Sequence, residues 1–388
     1  MKHWFALTAF IILLALVALY KSANDKKIAE PSMGVSEFLG DTNAEGFKRV
    51  FEPRSFRFPA DHGPHPEYKN EWWYFTGNLV DESGRRFGYE LTFFRFALKP
   101  GNSQRESNWS THQAYMAHFA ITDAESKEFH VWERFSRSGA DLAGATAQPF
   151  HVWLDNWSIN GESKNNNSCR GCLSMQLEAT QNDFAIDLTL DSKKPVVLQG
   201  DNGLSQKNET PGNASYYYSL TRLVTSGELV VDGKRFKVTG NSWLDREWST
   251  SALDRTQSGW DWFALQLSDE REIMFYWLRR EDGSDDPFNQ GVIVAANGDI
   301  ETLKAKDVVI EELDFWRSKQ SGIRYPSKWR FTIPGKAVDL TISPLMNDQE
   351  LNLAFRYWEG ACKVTGTIGN TEVKGYAYVE LTGYNQPN

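Results

Sequence analysis

Short runs of alternating or β-branched residues, each closed by Gly, Asn, Asp or Pro, recur along this chain after its first 50 residues. A chain punctuated in this way folds as many short strands, because a period of two cannot present one apolar face on a helix. The clearest runs in the first half are Glu71–Leu79, Phe87–Ala97, Tyr115–Thr122, Leu173–Ala179, Phe184–Leu190, Glu228–Val231 and Phe236–Val238. A second series is Asp261–Leu267, Glu272–Leu278, Gly291–Val294, Lys328–Ile333, Val338–Ser343, Cys362–Ile368 and Val373–Leu381. Between them lie hairpin residues such as Glu82-Ser83-Gly84, Val231-Asp232-Gly233, Asn297-Gly298-Asp299 and Gly369-Asn370, which supply positive φ where a tight turn needs it. No long 3.6-residue period appears outside an N-terminal apolar run. Strands at this spacing predict barrels or sandwiches.

At 388 residues the chain is too long for one ordinary domain. The polar stretch Thr250–Ser258 separates the two strand series and predicts bodies over 51–250 and 251–388. A faint echo links Glu71-Trp72-Trp73-Tyr74-Phe75 with Gly259-Trp260-Asp261-Trp262-Phe263, as if each segment opens its own barrel. An eight-stranded barrel either holds one small ligand or is filled by its own side chains. The 15 Trp, 14 Tyr and 24 Phe suit strands and also line pockets for flat apolar ligands.

Residues Trp4–Tyr20 carry no charge and follow Lys2-His3. They predict an apolar helix, either a signal peptide or a membrane anchor, within residues 1–25. Residues 26–50 then read as a polar linker. Either outcome places the body outside the cytoplasm, periplasmic or secreted, with the inner membrane as anchor if residues 4–20 are retained. No Cys follows the apolar run, which excludes a lipoprotein. The net charge of -9 and the lack of a basic stripe exclude nucleic acid as a partner.

All seven His lie at or before His151, and there is no Gly-x-Ser-x-Gly elbow, His-Glu-x-x-His, Walker loop or Gly-x-Gly-x-x-Gly. Ser-His-Asp hydrolysis, zinc proteolysis, nucleotide hydrolysis and dinucleotide-dependent redox chemistry are therefore disfavoured. No cofactor and no metal site are expected. Cys169 and Cys172 sit in a turn between strands, after Asn165-Asn166-Asn167, so they read as a local disulfide or an inert pair rather than a redox centre. Cys362 is left over.

Two constellations put charge among aromatics. On the strand opened by Glu71, the side chains of Glu71, Trp73, Phe75 and Gly77 share one face, and Trp72, Tyr74, Thr76 and Asn78 share the other. Glu71 beside Trp73 and Phe75 is either a partly desolvated acid or the partner of a cation, with Arg95 the candidate. In Gly240–Ser249, Asp245 and Glu247 share a side, and Arg246 and Trp248 share the opposite one. Two adjacent carboxylates can act as an acid/base pair or form an ion network. Arg246 cannot serve as an acid, but it can stack on Trp248 or bind an anionic group. Tyr216–Arg222, Arg356–Gly360 and Tyr376–Tyr384 repeat the theme more weakly and read first as packing. His118, strand-borne and on one face, reads first as a hydrogen-bonded structural residue.

These segments, taken in order, resemble the AttH/carotenoid 1,2-hydratase family. The resemblance is carried by Glu71–Leu79, Tyr216–Arg222, Trp243–Ser249, Gly259–Phe263, Tyr357–Gly360 and Gly375–Tyr384, and it covers nearly all of the chain after about residue 50. It implies an all-β fold of two consecutive lipocalin-like antiparallel barrels, following the N-terminal apolar helix, with a pocket for a hydrophobic ligand. It also implies components of ABC export systems as partners of the AttH branch. In the hydratases the signature carries His where this chain has Arg246, and the following Trp corresponds to Trp248. Asp261 is a counterpart of the family's next catalytic acid only by position. Hydrating a C=C bond needs a proton donor, and Arg246 does not supply one.

The candidate catalytic residues are therefore Glu71, Asp245, Glu247, Trp248 and Asp261. The candidate ligand contacts are Trp73, Arg95, His118, Tyr218, Arg246, Trp260, Trp262 and Tyr357. The first expectation is an extracytoplasmic protein that binds a lipid or isoprenoid. The alternative is an enzyme on an apolar substrate, either a hydro-lyase resembling the carotenoid hydratases or a secreted hydrolase. The two separate on one observation. Carboxylates that are all ion-paired leave no acid for catalysis, whereas an unpaired carboxyl among apolar side chains supplies one.

Overall fold

The structure, a computed structural model, describes residues 44–101, 107–250 and 256–384. The expected N-terminal helix, and with it the signal or anchor segment and most of the linker, lies outside the described residues. Within them the chain is all-β, with only four single-turn 3-10 segments, and no helix is long and apolar enough to cross a membrane.

The first sheet begins with β1 (Asn70–Asp81), β2 (Arg86–Ala97), β3 (Gln113–Asp123) and β4 (Glu128–Arg137). It continues through β5 (Ala143–Ala147), β6 (Phe150–Leu154), β7 (Trp157–Ser163), β8 (Leu173–Gln181) and β9 (Phe184–Ser192). Two short strands, β10 (Val197–Leu198) and β11 (Leu204–Gln206), precede the long β12 (Ala214–Val231) and β13 (Lys234–Ser249). Pairing runs β4-β3-β2-β1-β13-β12-β9-β8-β7-β6-β5, with β10 and β11 added to β12. The sheet curls until β5 and β6 pack on β3, and β6 also on β4, giving a nearly closed barrel. Inward side chains such as Trp73, Phe75, Phe119, Trp157 and Leu244 fill it with one apolar core. Its mouth is covered by Val50, Phe56 and Tyr68, which pack on Tyr216, Tyr218 and Trp248.

Turn chemistry explains the longest hairpin. Asp232 and Gly233 both have positive φ (48° and 73°), as a two-residue connection between twisted strands requires. The two sequence runs Tyr216–Arg222 and Glu228–Val231 are one strand, β12, kept continuous through a register shift between Leu220 and Leu223. Cys169 and Cys172 are disulfide-bonded in the β7–β8 turn, and Cys362 is free and buried.

The second sheet comprises β14 (Gln257–Leu267), β15 (Glu272–Arg280), β16 (Gln290–Val294), β17 (Ile300–Lys304) and β18 (Val309–Arg317). It is completed by β19 (Arg324–Ile333), β20 (Val338–Pro344), β21 (Glu350–Asn352), β22 (Arg356–Ile368) and β23 (Thr371–Thr382). The order is β17-β16-β15-β14-β23-β22-β20-β19-β18, with β21 on β22. Here the expectation of a second barrel needs correction. Edge strands β17 and β18 do not pair with each other. Both turn mostly exposed, charge-bearing side chains to solvent, and exposed charges oppose edge pairing. The result is a half-barrel around Phe263, Trp329, Phe331 and Trp358.

The echoing segments occupy the same place in the two sheets. β1 pairs with β2 and with the last strand, β13; β14 pairs with β15 and with the last strand, β23. The outer faces of these strands meet. Asn78 donates to the Ala377 carbonyl at 3.1 Å, and Thr122 donates to Gln349 at 2.8 Å. Gly88 permits the approach, since a Cβ there would lie 2.4 Å from that of Ala361. At another edge Lys194 reaches Glu272 at 2.8 Å, joined there by Arg222. The two sheets therefore share a buried interface.

Candidate functional site

Alternation sends Glu71, Trp73 and Phe75 into the first barrel. Trp72, Tyr74, Thr76 and Asn78 point to the second sheet instead. The same rule on β13 sends Leu244, Arg246 and Trp248 inward and Trp243, Asp245 and Glu247 outward. Three groups of carboxyls result.

The first group lies under the barrel mouth. Glu71 accepts from Arg95 Nε at 2.6 Å and from Arg246, both guanidinium groups being buried. Burial alone would raise its pKa, but Arg246 and Arg95 outweigh that and hold it well below the carboxylate range. Arg246 also donates to the carbonyls of Trp72 and Gly63 and stacks 3.9 Å from the Trp73 ring centroid. Tyr218 bonds His62 Nδ1 at 2.7 Å. Glu71, Arg95 and Arg246 are thus a closed ion network. One residue of the group was not foreseen. The ring of His65 stacks on Trp248, with centroids 3.8 Å apart and planes within 4°, and its Nδ1 meets Glu71 at 2.7 Å. A loop thus brings a histidine to Trp248 in space, although position 246 carries Arg.

The second group lies in the half-barrel. Asp261 is ion-paired with Arg279 and accepts from Tyr384 at 3.1 Å. Burial raises its pKa, opposed by Arg279. Since Asp261 alternates with Trp260 and Trp262, it faces away from them and from the shared interface.

The third group lies between the sheets. Glu90 on β2 and Glu359 on β22 are fully buried. Both oxygens of Glu90, and Oε1 of Glu359, have no hydrogen-bond partner. Glu359 Oε2 accepts from the Tyr74 hydroxyl at 2.8 Å. The Thr92 hydroxyl lies beside Glu90 without the geometry of a hydrogen bond. Glu380, partly exposed, is the cross-strand partner of Glu359. Among the described residues no cation pairs with any of the three. Desolvation, then Glu90 and Glu380, push Glu359 well above the usual range. Desolvation raises Glu90 against the opposing pull of His118. Glu380 is pushed up to about 8 by burial and by Glu90. Like-charged carboxyls sharing one site cannot all ionise. The buried hydroxyl of Tyr378 stands unpartnered as well.

Two arms extend from this cluster. Along one, Trp262 packs edge-on to Tyr74 at 5.3 Å, and its indole donates to Tyr217 at 3.2 Å. Tyr217 in turn donates to Asp245, which also accepts from Ser219 at 2.5 Å and Trp243 at 2.6 Å. Asp245 has no cationic partner among the described residues. Desolvation pushes it up to about 7 despite these bonds. Glu247 is paired with Lys207 at 2.8 Å. Along the other arm, His118 Nδ1 meets the Tyr357 hydroxyl at 2.5 Å, and its Nε2 meets Glu133 at 3.2 Å. Burial and the nearby carboxyls keep Tyr357 a neutral phenol. The Tyr357 hydroxyl, the two ring nitrogens of His118 and the Glu133 carboxylate thus form one hydrogen-bonded chain. Glu133 is partly exposed, so this arm ends at solvent.

The interface thus gathers Asp245, Glu247, His118, Trp260, Trp262 and Tyr357 of the expected residues. It excludes Glu71, Trp73, Arg95, Tyr218, Arg246, Trp248 and Asp261. Glu90 was missed, although a carboxylate inside the apolar run Phe87–Ala97 was a signal. Glu359 and Glu380 stood in segments read as packing.

An AttH-like family model matches residues 49–384. A solved AttH-type protein of Nitrosomonas europaea is 32% identical over 87% of this chain and all of its own, with a TM-score of 0.75. The solved kievitone hydratase of Nectria haematococca is 19% identical, covers 87% of this chain and 96% of its own, and has a TM-score of 0.64, a likeness of fold. Kievitone hydratase of Fusarium solani subsp. phaseoli is 25% identical over 214 residues, 53% of this chain. That match spans only 59% of the relative's own length.

Proposed function

Because this chain belongs to the AttH-like family, we propose that it is a hydratase-like enzyme that adds water to a C=C bond of a neutral, apolar substrate between its two sheets. The observation that carries the reading is the pair Glu90 and Glu359, buried and without a cation. A neutral carboxyl in such a place is a proton donor at neutral pH. The named relative favours this reading over simple ligand binding.

The protonated carboxyl gives its proton to one alkene carbon. The π electrons form the new C–H bond and leave a cation on the other carbon. Water attacks that carbon and loses its proton to a neighbouring carboxylate of the cluster. One water is added, and the cluster regains the proton it gave. The faces of Tyr74, Trp262 and Tyr378 stabilise the cation, and the Glu133–His118–Tyr357 arm exchanges protons with solvent. Three carboxyls without a cation disfavour an anionic substrate.

A second location has one observation in its favour, the stack of His65 on Trp248. There His65, between Glu71 and Asp61, would be the donor.

The test is to incubate the purified protein with kievitone or an acyclic carotenoid in oxygen-labelled water and detect a product heavier by one labelled water. Glu359→Gln is expected to lower turnover by about 10²–10⁴-fold with the fold intact, and His65→Gln by far less. The opposite ranking moves the chemistry to the barrel mouth. No labelled product from either substrate class counts against the hydratase reading.

A further inference from the structure

On the outer face of β2, Glu90, Thr92, Phe94 and Phe96 follow one another at alternate positions toward the strand end. His118 on β3 stands beside Thr92, and Phe135 on β4 stands in the row of Phe94. At about 3.4 Å per residue, roughly 20 Å separate Phe96 from Glu90. The track is aromatic at its outer end and acidic at its inner end, with Phe355 of the second sheet 6.2 Å from Phe94.

Its outer end opens on an apolar rim. Leu98 is 55% exposed, Trp109 67%, Phe135 56% and Leu142 40%. Phe135 lies near the end of β4, and Leu98, Trp109 and Leu142 belong to neighbouring turns. Leu98 N donates to the His112 carbonyl at 2.7 Å, Thr111 and Ser138 hydroxyls meet at 2.5 Å, and Ala140 N donates to the Asn108 carbonyl at 2.8 Å. Single exposed apolar residues are ordinary on a soluble protein, but four on one rim are not. The chain also enters here. Gly46 lies against Pro100, where a Cβ would stand 2.8 Å from the proline ring. The 43 residues before the described chain include the uncharged stretch 4–20. Lys99 flanks the entry, exposed, as does Lys48, which is ion-paired with Glu67 at 3.5 Å.

We propose that this rim docks on a lipid bilayer, the same one that residues 4–20 enter, and that an apolar alkene passes from the bilayer along Phe96 and Phe94 to the carboxyl cluster. The docking stands on the rim and the chain entry; the substrate route rests on the hydratase reading. Trp favours the headgroup level and Lys favours anionic lipid, which matches Trp109 on the rim and Lys99 beside it.

The test uses the full chain in vesicles of phosphatidylcholine and phosphatidylglycerol. Nitroxide labels are placed at Leu98→Cys and Trp109→Cys, with Val309→Cys on β18, 56% exposed, as the control. Cys169–Cys172 is disulfide-bonded and Cys362 buried, so labelling goes to the introduced thiol. Labels at 98 and 109 are expected to collide at least about five-fold less with a water-soluble nickel chelate than the label at 309, while remaining open to oxygen, as buried interfacial positions do. Equal nickel access at the three positions overturns the docking. Shielding from both reagents, present without vesicles, also overturns it, since the chain's own apolar segment or a second copy would then cover the rim. A Leu98→Asp/Trp109→Asp variant is expected to lose turnover of vesicle-borne alkene and keep turnover of detergent-dispersed alkene; loss of both, or of neither, overturns the route. If the unaltered chain turns over neither form, the hydratase reading fails while the label result still decides the docking.

Discussion

Glu359 on β22 and Glu380 on β23 are direct cross-strand partners, with Glu90 of the other sheet facing them. Like charges opposite one another destabilise a sheet, so the arrangement is stable only while the cluster holds protons.

Stability should therefore fall as pH rises. A carboxyl whose folded pKa lies above its unfolded value binds more protons in the native state between the two, and the native state loses stability across that interval. For Asp245 the window runs from 3.8 to about 7; for Glu359 it opens at 4.5 and extends upward. Glu71 acts in the opposite sense, its contribution being lost below 4.5. Denaturant midpoints measured from about pH 5 to about pH 8.5 should decline, and Glu359→Gln should flatten the decline and stabilise the alkaline end by roughly 1–3 kcal/mol. A slope unchanged by Glu359→Gln would show that this carboxyl is ionised in the folded protein.

Arg246 is the central cation of the barrel mouth, held by Glu71 and by the Gly63 and Trp72 carbonyls. Arg246→Met leaves Glu71 with Arg95 as its one guanidinium partner and takes the guanidinium donors from the Gly63 and Trp72 carbonyls, a loss of about 3–5 kcal/mol. Arg246→Lys should recover little of it, because one ammonium cannot reach several planar acceptors at once. Urea unfolding of the two variants checks this, and full recovery by Lys would refute it.

Glu272 of β15 is joined to the first sheet by Lys194 and Arg222. Lys194→Met removes one of its two cations and frees the carbonyls of Glu270 and Ala295. The sheets should then separate before they unfold. Calorimetry should split one transition into two, or lower the midpoint by the equivalent of ~2–3 kcal/mol. An unaltered thermogram would mean that the apolar interface alone holds the sheets together.

Tyr357→Phe leaves Nδ1 of buried His118 without its hydrogen-bond partner. An unsatisfied buried polar group costs about 1–3 kcal/mol, and turnover should fall more at high pH than at low pH, where protons reach the cluster more readily. Equal loss at every pH would make Tyr357 a packing residue only.

Much of the framework was legible in the residues. Period-two runs marked β1, β2, β3, β15 and β23 close to their final bounds. The same rule assigned Glu71 and Tyr74 to opposite faces, and it paired Glu71 with Arg95. It overlooked β4 and β18, whose side chains are exposed or only partly buried on both faces, so that no clean alternation is written there. Alternation alone left two readings of Glu71 open, a desolvated acid and the partner of a cation. The structure has the second, with Arg246 joining the expected Arg95.

By itself the sequence determined that this chain is all-β, where its tight turns fall, which residues share a face, and which family it resembles. Those properties depend on local alternation and turn residues, which neighbours along the chain specify. Tertiary structure alone decided which carboxyls meet a cation and which are buried without one. The pKa of Glu359 depends on Tyr74, 285 residues away, and on Glu90 across the interface. Desolvation and long-range charge are set when two sheets close on each other, and no stretch of sequence records them.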